Sequence, residues 1–252
     1  MDLKEIALKH KIEYIACLPI DNQEGFSSVV VALVPYYCGE YDSYLSKYTR
    51  GLDYHKIGRI IMDEILKEAG EYDYKILIDA SPLDELSLAY KAGLGKKGLN
   101  GLIINEKYGS YVFVATALLK TDKVFSYPEQ GECLKCGKCI SACPGKAIKI
   151  NEIDYKKCLS HITQSSKITD SEEEMIKKYG SAWGCDMCQD CCPLNRNTAH
   201  TPFSEFREHL LLEINDINSL SQKEFKKKYK NYALAYKGRN ILRRNINLIK
   251  NT

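Results

Sequence analysis

The sequence predicts an α+β chain: an N-terminal mixed α/β domain, a cysteine-rich module, and a short helical C-terminus. Three observations predict it. Through residues 1–127, apolar positions alternate between strand-like runs and helix-like spacing. Nine of the eleven cysteines crowd the sixty residues from Cys133 to Cys192, and residues 201–252 return to helical patterning. A chain of 252 residues with 44% apolar and 27% charged side chains can bury a sizeable core, which excludes wholesale disorder. The net charge of +3, from 36 basic and 33 acidic side chains, neither demands nor excludes a polyanionic partner. The longest apolar run, Val29-Val30-Val31-Ala32-Leu33-Val34-Pro35, is too short to cross a bilayer. The opening Met1-Asp2-Leu3-Lys4-Glu5-Ile6 carries acids and has neither an apolar leader core nor a twin-arginine pair, so no membrane association and a cytoplasmic location are expected.

Each element follows from local patterning. Residues 3–10 predict a short helix, followed by an apolar stretch at Ile12–Leu18. Ser27–Val34 is continuous and β-branched, as in a strand buried on both faces, and ends at Pro35. Ile57, Ile60, Ile61, Ile65, Leu66 and Ala69 recur at helical spacing through His55–Ala69, with Gly70 as a C-terminal cap. Tyr74–Ile78 predicts a strand ending at Asp79. Ser81-Pro82 predicts the N-cap and first turn of a helix running to about Ala92. Leu102–Ile104 and Tyr111–Leu119 predict a strand pair joined through Glu106–Gly109. The expected domains are 1–127, 128–200 and 201–252.

The cysteines carry the chemistry. Without an export signal the chain belongs in a reducing compartment, where dense thiols point to metal rather than disulfides. Cys133-x-x-Cys136-x-x-Cys139-x-x-x-Cys143-Pro144 is the bacterial ferredoxin run, whose first three thiolates hold one cubane while the fourth serves another. Structural zinc would accept Cys-x-x-Cys pairs, but the three-thiol run ending in Cys-Pro favours iron–sulfur. Two [4Fe–4S] clusters need eight thiolates. Cys158, Cys185, Cys188, Cys191 and Cys192 supply the remainder with one to spare. Because Cys192-Pro193 mirrors Cys143-Pro144, Cys192 is expected to join Cys133, Cys136 and Cys139. Cys143, Cys158, Cys185 and Cys188 would then hold the second cluster, leaving Cys191, Cys17 and Cys38 as bystanders. Two adjacent clusters conduct single electrons and do no substrate chemistry alone, so the domain in front of them favours an enzyme over a simple carrier.

Several segments together resemble the epoxyqueuosine reductase family. They are Tyr48-Thr49-Arg50-Gly51-Leu52-Asp53-Tyr54-His55, Asp79-Ala80-Ser81-Pro82-Leu83-Asp84-Glu85, Ala92-Gly93-Leu94-Gly95-Lys96-Lys97-Gly98-Leu99-Asn100, and the cysteine module with Cys158-Leu159-Ser160 and Gly184-Cys185-Asp186. Lys96, Leu99 and Leu52 depart from the tryptophan, lysine and arginine common there. The family's full-length members carry a C-terminal helical-repeat domain, whereas this sequence has about one helical segment after its cysteines, the pattern of a short form. The resemblance implies cobalamin in the N-terminal domain close to a cluster, and reduction of epoxyqueuosine to queuosine in tRNA. It also implies cob(I)alamin attack on the epoxide, electrons from an external low-potential donor, and Asp79 as proton donor. A carboxyl at a strand end beside a cofactor cleft would have its pKa raised by desolvation.

The same resemblance makes Arg50, Asp53, Tyr54 and His55 candidates for substrate or cofactor contacts; read locally, Asp53 would simply cap the next helix. Gly93, Gly95 and Gly98, with Asn100, would let backbone approach a flat macrocycle, or would form an ordinary helix-ending loop. A phosphate-cradling loop is excluded, because no Gly-Lys-Ser/Thr follows them. From Lys223 to Lys250, ten Lys/Arg stand against one acid, a charge suited to tRNA phosphates or to a solvated helix face. The alternatives are a reductive dehalogenase-like corrinoid enzyme acting on a small molecule and an electron-transfer protein without corrinoid.

Overall fold

The computed structural model describes residues 2–79, 82–150 and 152–251. In chain order the first half contains α1 (Leu3–Lys9), β1 (Ile15–Gln23), β2 (Phe26–Pro35), α2 (Lys47–Arg50), α3 (Tyr54–Glu68) and β3 (Tyr74–Ile78). Then come α4 (Glu85–Lys91), β4 (Lys96–Lys97), β5 (Ile103–Ile104) and β6 (Val112–Leu119). Four strands form one antiparallel sheet in the order β1-β2-β6-β3. The uninterrupted apolar run of β2 has a simple cause. Val30, Ala32 and Val34 face the core built with α1 and α3, while Val29, Val31 and Leu33 face the core built with α4. Successive side chains of a strand point to opposite faces, and both faces here are covered.

The helix expected at His55–Ala69 spans Tyr54–Glu68, capped by the Asp53 side chain on the His55 amide, and Gly70 follows with a positive φ of 79°. Two expectations are corrected. Leu102–Ile104 does not pair with Tyr111–Leu119: β5 pairs with β4, because both edges of β6 are already taken by β2 and β3. The helix after β3 starts at Glu85, where Asp84 caps the Ser87 amide at 3.0 Å; the proposed N-cap Ser81 lies outside the described residues. Local signals identified both segments but could not choose among competing partners.

The second half contains α5 (Lys138–Ala142), β7 (Ile148–Lys149), β8 (Glu152–Ile153), α6 (Leu159–Gln164), α7 (Asp170–Tyr179) and α8 (Met187–Asp190). It ends with α9 (Ser204–Arg207), α10 (Gln222–Tyr229) and α11 (Arg239–Lys250), three helices where about one segment was expected. They do not stand apart. Phe225, Leu234, Leu242 and Ile246 share a core with Leu45 of the N-terminal half and Trp183 of the cysteine module, while Phe203 and Phe206 enter the core under α3. No helix among the described residues is long and apolar enough to cross a membrane.

Asn245 pins this arrangement. Its fully buried amide donates to the Thr163 carbonyl at 2.7 Å and the Ala182 carbonyl at 2.8 Å. Asn245→Ala strands both acceptors, so we expect a loss of about 1–3 kcal/mol, read from the urea midpoint of the intact protein.

Candidate functional site

The cysteine module meets the sheet at the end where β2 finishes and β6 begins, with Val34 opposite Phe113. A buried polar seam joins them. Asp186 accepts from the Ser46 hydroxyl at 2.9 Å and the Lys47 amide at 2.7 Å. Asp190 accepts from the Lys47 ammonium at 2.6 Å and the Tyr111 hydroxyl at 2.7 Å. Gln189 accepts from Ser110 at 3.0 Å and Tyr36 at 3.4 Å. These three acceptors bracket Cys188 and follow Cys185, so the seam sets where those thiols point.

Above the seam lies an open cavity of about 490 Å³. Tyr36, Tyr48, Leu86, Val112 and Phe113 form its N-terminal wall, and Cys143, Cys158, Cys185 and Cys188 face them. No Lys, Arg, Asp or Glu lines it among the described residues. The four thiols the sequence assigned to one cluster are thus brought together, close enough that Cys143 and Cys158 act on Cys185, and Cys158 and Cys185 act on Cys188. Burial pushes Cys185 up to about 12 and Cys188 higher still, so loading a metal body here must release protons.

The other four converge next door. Cys133, Cys136, Cys139 and Cys192 line one nest together with Leu99, Asn100 and Leu134, which Cys191 does not line. The Cys191 thiol is directed at the Cys188 carbonyl, 3.6 Å away. Asn100 lines both nests and, with Leu102, the wall between them.

At the edge of the cavity stands a proton chain. The Tyr54 ring stacks on Phe113 with centroids 4.0 Å apart, and its hydroxyl donates to Asp79 Oδ2. His55 Nδ1 lies 2.8 Å from Asp53 Oδ1, and His55 Nε2 lies 3.5 Å from Asp79 Oδ2. Asp79 ends β3 in a left-handed conformation, φ 62°, which Asp and Asn tolerate better than most residues. The desolvation expected to raise Asp79 is overruled. The carboxylate is 63% exposed, and the hydrogen bond from His55, then that from Tyr54, hold its pKa below the ordinary value. The proton resides instead on His55, which the Asp53 hydrogen bond and then the Asp79 hydrogen bond raise to about 9.

Three other expected contact residues lie off this cavity. Arg50 is buried away from the cavity, donating from Nε to the Leu45 carbonyl at 2.7 Å. Gly93 and Gly95 do not line the cavity; a Cβ on Gly93 would sit 2.4 Å from the Tyr127 carbonyl oxygen, and one on Gly95 2.7 Å from that of Ile104. They are glycine for close backbone packing. Gly98 faces an adjoining groove and Asn100 the cavity itself. Sequence reasoning missed Tyr36, Tyr48, Phe113, Ser110 and Gln189. Only the register that ends β2 beside Val112 and Phe113 could have flagged the first and third.

In the basic C-terminal segment, Arg244 is committed to the Ser165 and Ser166 carbonyls, Arg239 to the Leu220 carbonyl and Lys228 to Asp216. Lys223, Lys226, Lys227, Lys230 and Lys237 remain exposed. The segment borders the proton chain, for the Asn231 carbonyl accepts from the Asp53 amide at 2.6 Å and the Lys230 carbonyl from Lys56 at 2.9 Å.

A thiol-lined double nest against an aromatic cavity defines an iron–sulfur oxidoreductase, and residues 132–195 match the family described as a 4Fe-4S double cluster binding domain. Over its length the chain resembles epoxyqueuosine reductases. That of Cyclobacterium marinum is 34% identical over 240 residues, spanning 90% of this chain and 77% of its own. That of Leadbetterella byssophila is 34% identical over 236 residues, spanning 90% and 78%. The chain belongs to the epoxyqueuosine reductase family. Its fold matches an epoxyqueuosine reductase solved with an epoxyqueuosine-modified tRNA-Tyr stem loop, at a TM-score of 0.86 and 22% identity over 98% of this chain and 79% of that one. A catabolic reductive dehalogenase shares the fold more distantly, at a TM-score of 0.53 and 16% identity over 78% of this chain and 32% of its own.

The His55 assignment has a pH signature. With its folded pKa above the ordinary 6.5, His55 contributes stability that is complete below about 6.5 and is lost as pH rises through about 9. His55→Gln should flatten that alkaline limb of the denaturation midpoint while leaving the neutral-pH fold intact by circular dichroism.

Proposed function

We propose that this chain reduces epoxyqueuosine to queuosine in tRNA, using two [4Fe–4S] clusters and a cobalamin. The observation that supports the reading is a proton chain stacked behind Phe113 in the wall of an aromatic cavity whose opposite wall holds four thiols and no Lys, Arg, Asp or Glu among the described residues. The donor sets fit the groups. Cys133, Cys136, Cys139 and Cys192 would hold one cluster, and Cys143, Cys158, Cys185 and Cys188 the other. The cavity's flat rings and lack of charged lining suit a macrocycle, with Tyr36, Tyr48, Phe113 and Asn100 as its neighbours. When bound, the corrin supplies a cobalt nucleophile able to open an epoxide, and the clusters supply electrons.

The chain's own residues then manage the proton. Opening an epoxide leaves charge on oxygen, which a positioned acid must neutralise. The proton starts on His55 and would reach the oxygen through Asp79, with Asp53 holding the imidazolium in place and the Tyr54 hydroxyl fixing the Asp79 carboxylate. Loss of the oxygen as water takes two protons and two electrons in all, the second proton coming from solvent by the same route. A carboxylate with a lowered pKa is a poor proton store but a strong acid once protonated, so store and donor are divided between two residues. The exposed lysines of the C-terminal segment flank this rim and would meet tRNA phosphates around the inserted base. Reduced clusters would be replenished by an external low-potential donor. A cytoplasmic setting follows from that chemistry, since both the thiolates and the donor need reducing surroundings.

Two measurements decide. Anaerobically reconstituted protein with cobalamin should convert epoxyqueuosine in an anticodon stem-loop. Asp79→Asn, which tolerates the same backbone conformation, should retain both cofactors and lose at least about a hundredfold in turnover. Wild-type turnover by that variant sinks the proton-donor role, and cluster absorption without retained corrinoid favours the carrier reading. Separately, Cys192→Ser should lower bound iron and sulfide by about half, since its nest holds one of two clusters, while Cys191→Ser leaves both at wild-type content.

A further inference from the structure

The two nests differ in exposure. Cys143, Cys158, Cys185 and Cys188 are half-buried and face the open cavity, while Cys136 of the other nest is solvent-exposed. Leu134 is 62% exposed, Ile150 75% and Tyr155 65%, three large apolar side chains in one module. A groove of about 360 Å³ runs beside them, with Cys133 in its wall and Lys97, Glu132, Lys135, Ile153 and Tyr155 around it. Residues 96–97 and 131–157 carry eight lysines against three acids, a surplus of five in a chain whose total is only +3. All three acids, Glu132, Glu152 and Asp154, are already paired, with Lys135, Lys149 and Lys157. Lys97, Lys138, Lys146 and Lys156 are exposed.

We infer that this face, the exposed Leu134–Lys138 loop with Lys97, Tyr155 and Lys156, is the docking surface for an acidic one-electron carrier protein that reduces the cluster held by Cys133, Cys136, Cys139 and Cys192. An apolar centre within a predominantly basic rim is the composition of a protein–protein contact, and the surplus of lysine selects an acidic partner and speeds its encounter. A nucleic acid would use the lysines but gains little from exposed leucine and isoleucine. The transfer moves one electron: the carrier is oxidised, the outer cluster is reduced, and no bond forms or breaks. Asn100 lines both nests. The inference rests on the double-cluster assignment and is independent of the epoxide reading.

The test uses the reconstituted holoprotein and follows bleaching of cluster absorption by stopped flow. Chemically reduced flavodoxin serves as the acidic donor, and photoexcited deazaflavin as a small reductant that needs no docking. Lys97→Glu with Lys156→Glu, outside the cysteine run, and Lys135→Glu with Lys138→Glu, inside it, should each slow reduction by flavodoxin about tenfold at low ionic strength and flatten its salt dependence. Reduction by deazaflavin should stay at the wild-type rate. Should the second pair disturb cluster loading, the first pair alone decides. Unchanged flavodoxin rates overturn the assignment. Variants that weaken retention of tRNA while leaving flavodoxin rates alone give the face to RNA instead. Cluster reduction requires no epoxide turnover, so its failure and that of the proposed reaction are read separately.

Discussion

The seam of Ser46, Lys47, Tyr111, Asp186, Gln189 and Asp190 is the constraint on which the site depends. Cysteine loops have little regular structure of their own, and their thiols point wherever the backbone is held. Here α8 is only four residues long, and it is fixed from outside by a buried ammonium and buried hydroxyls of the N-terminal half. The Lys47 ammonium is buried but its partner Asp190 is 43% exposed, so the pair contributes little net stability, while removing the acid would strand a buried charge. Its effect is to allow one placement of Cys185 and Cys188 against Tyr36 and Phe113, and so to define the cavity between them.

Within that frame, the thiols and the titratable chain stand on different sides of the cavity. The thiols occupy the wall supplied by the cysteine module. The proton chain of Asp53, His55, Asp79 and Tyr54 occupies the rim supplied by α3 and the end of β3. Asp79 is held in a left-handed conformation where the strand ends, the kind of backbone strain that surrounding structure must sustain and that gathers at functional positions. Two carboxylates flanking one imidazole keep it protonated near neutral pH.

The C-terminal helices complete the frame. Their apolar faces close a core shared with Leu45 and Trp183, and Asn245 ties α11 to the α6 carbonyl of Thr163. That leaves their lysines on the outside, next to the proton chain, while the lysines around Cys136 belong to a different module. The chain's small net charge conceals two basic regions with different neighbours.

How much of this was legible beforehand depended on range. Cysteine spacing announced a double 4Fe-4S domain, because runs of Cys-x-x-Cys ending in Cys-Pro bring thiolates together locally. Strand β2, helix α3 and the Asp53 cap were legible because a strand buried on both faces and an amphipathic helix are local patterns. The partner of β5, the start of α4, the burial of Arg50 and the packing role of Gly93 and Gly95 were not, since each depends on which distant segment occupies the adjoining space. The protonation of Asp79 is the sharpest case. A strand-end carboxyl suggests desolvation, yet its charge is decided by His55 and Tyr54, brought beside it by packing of α3 on the sheet. Sequence alone determined which atoms this protein owns for metal and proton chemistry; tertiary structure decided which of them meet and where the proton rests, because electrostatic energies depend on distances that only packing sets.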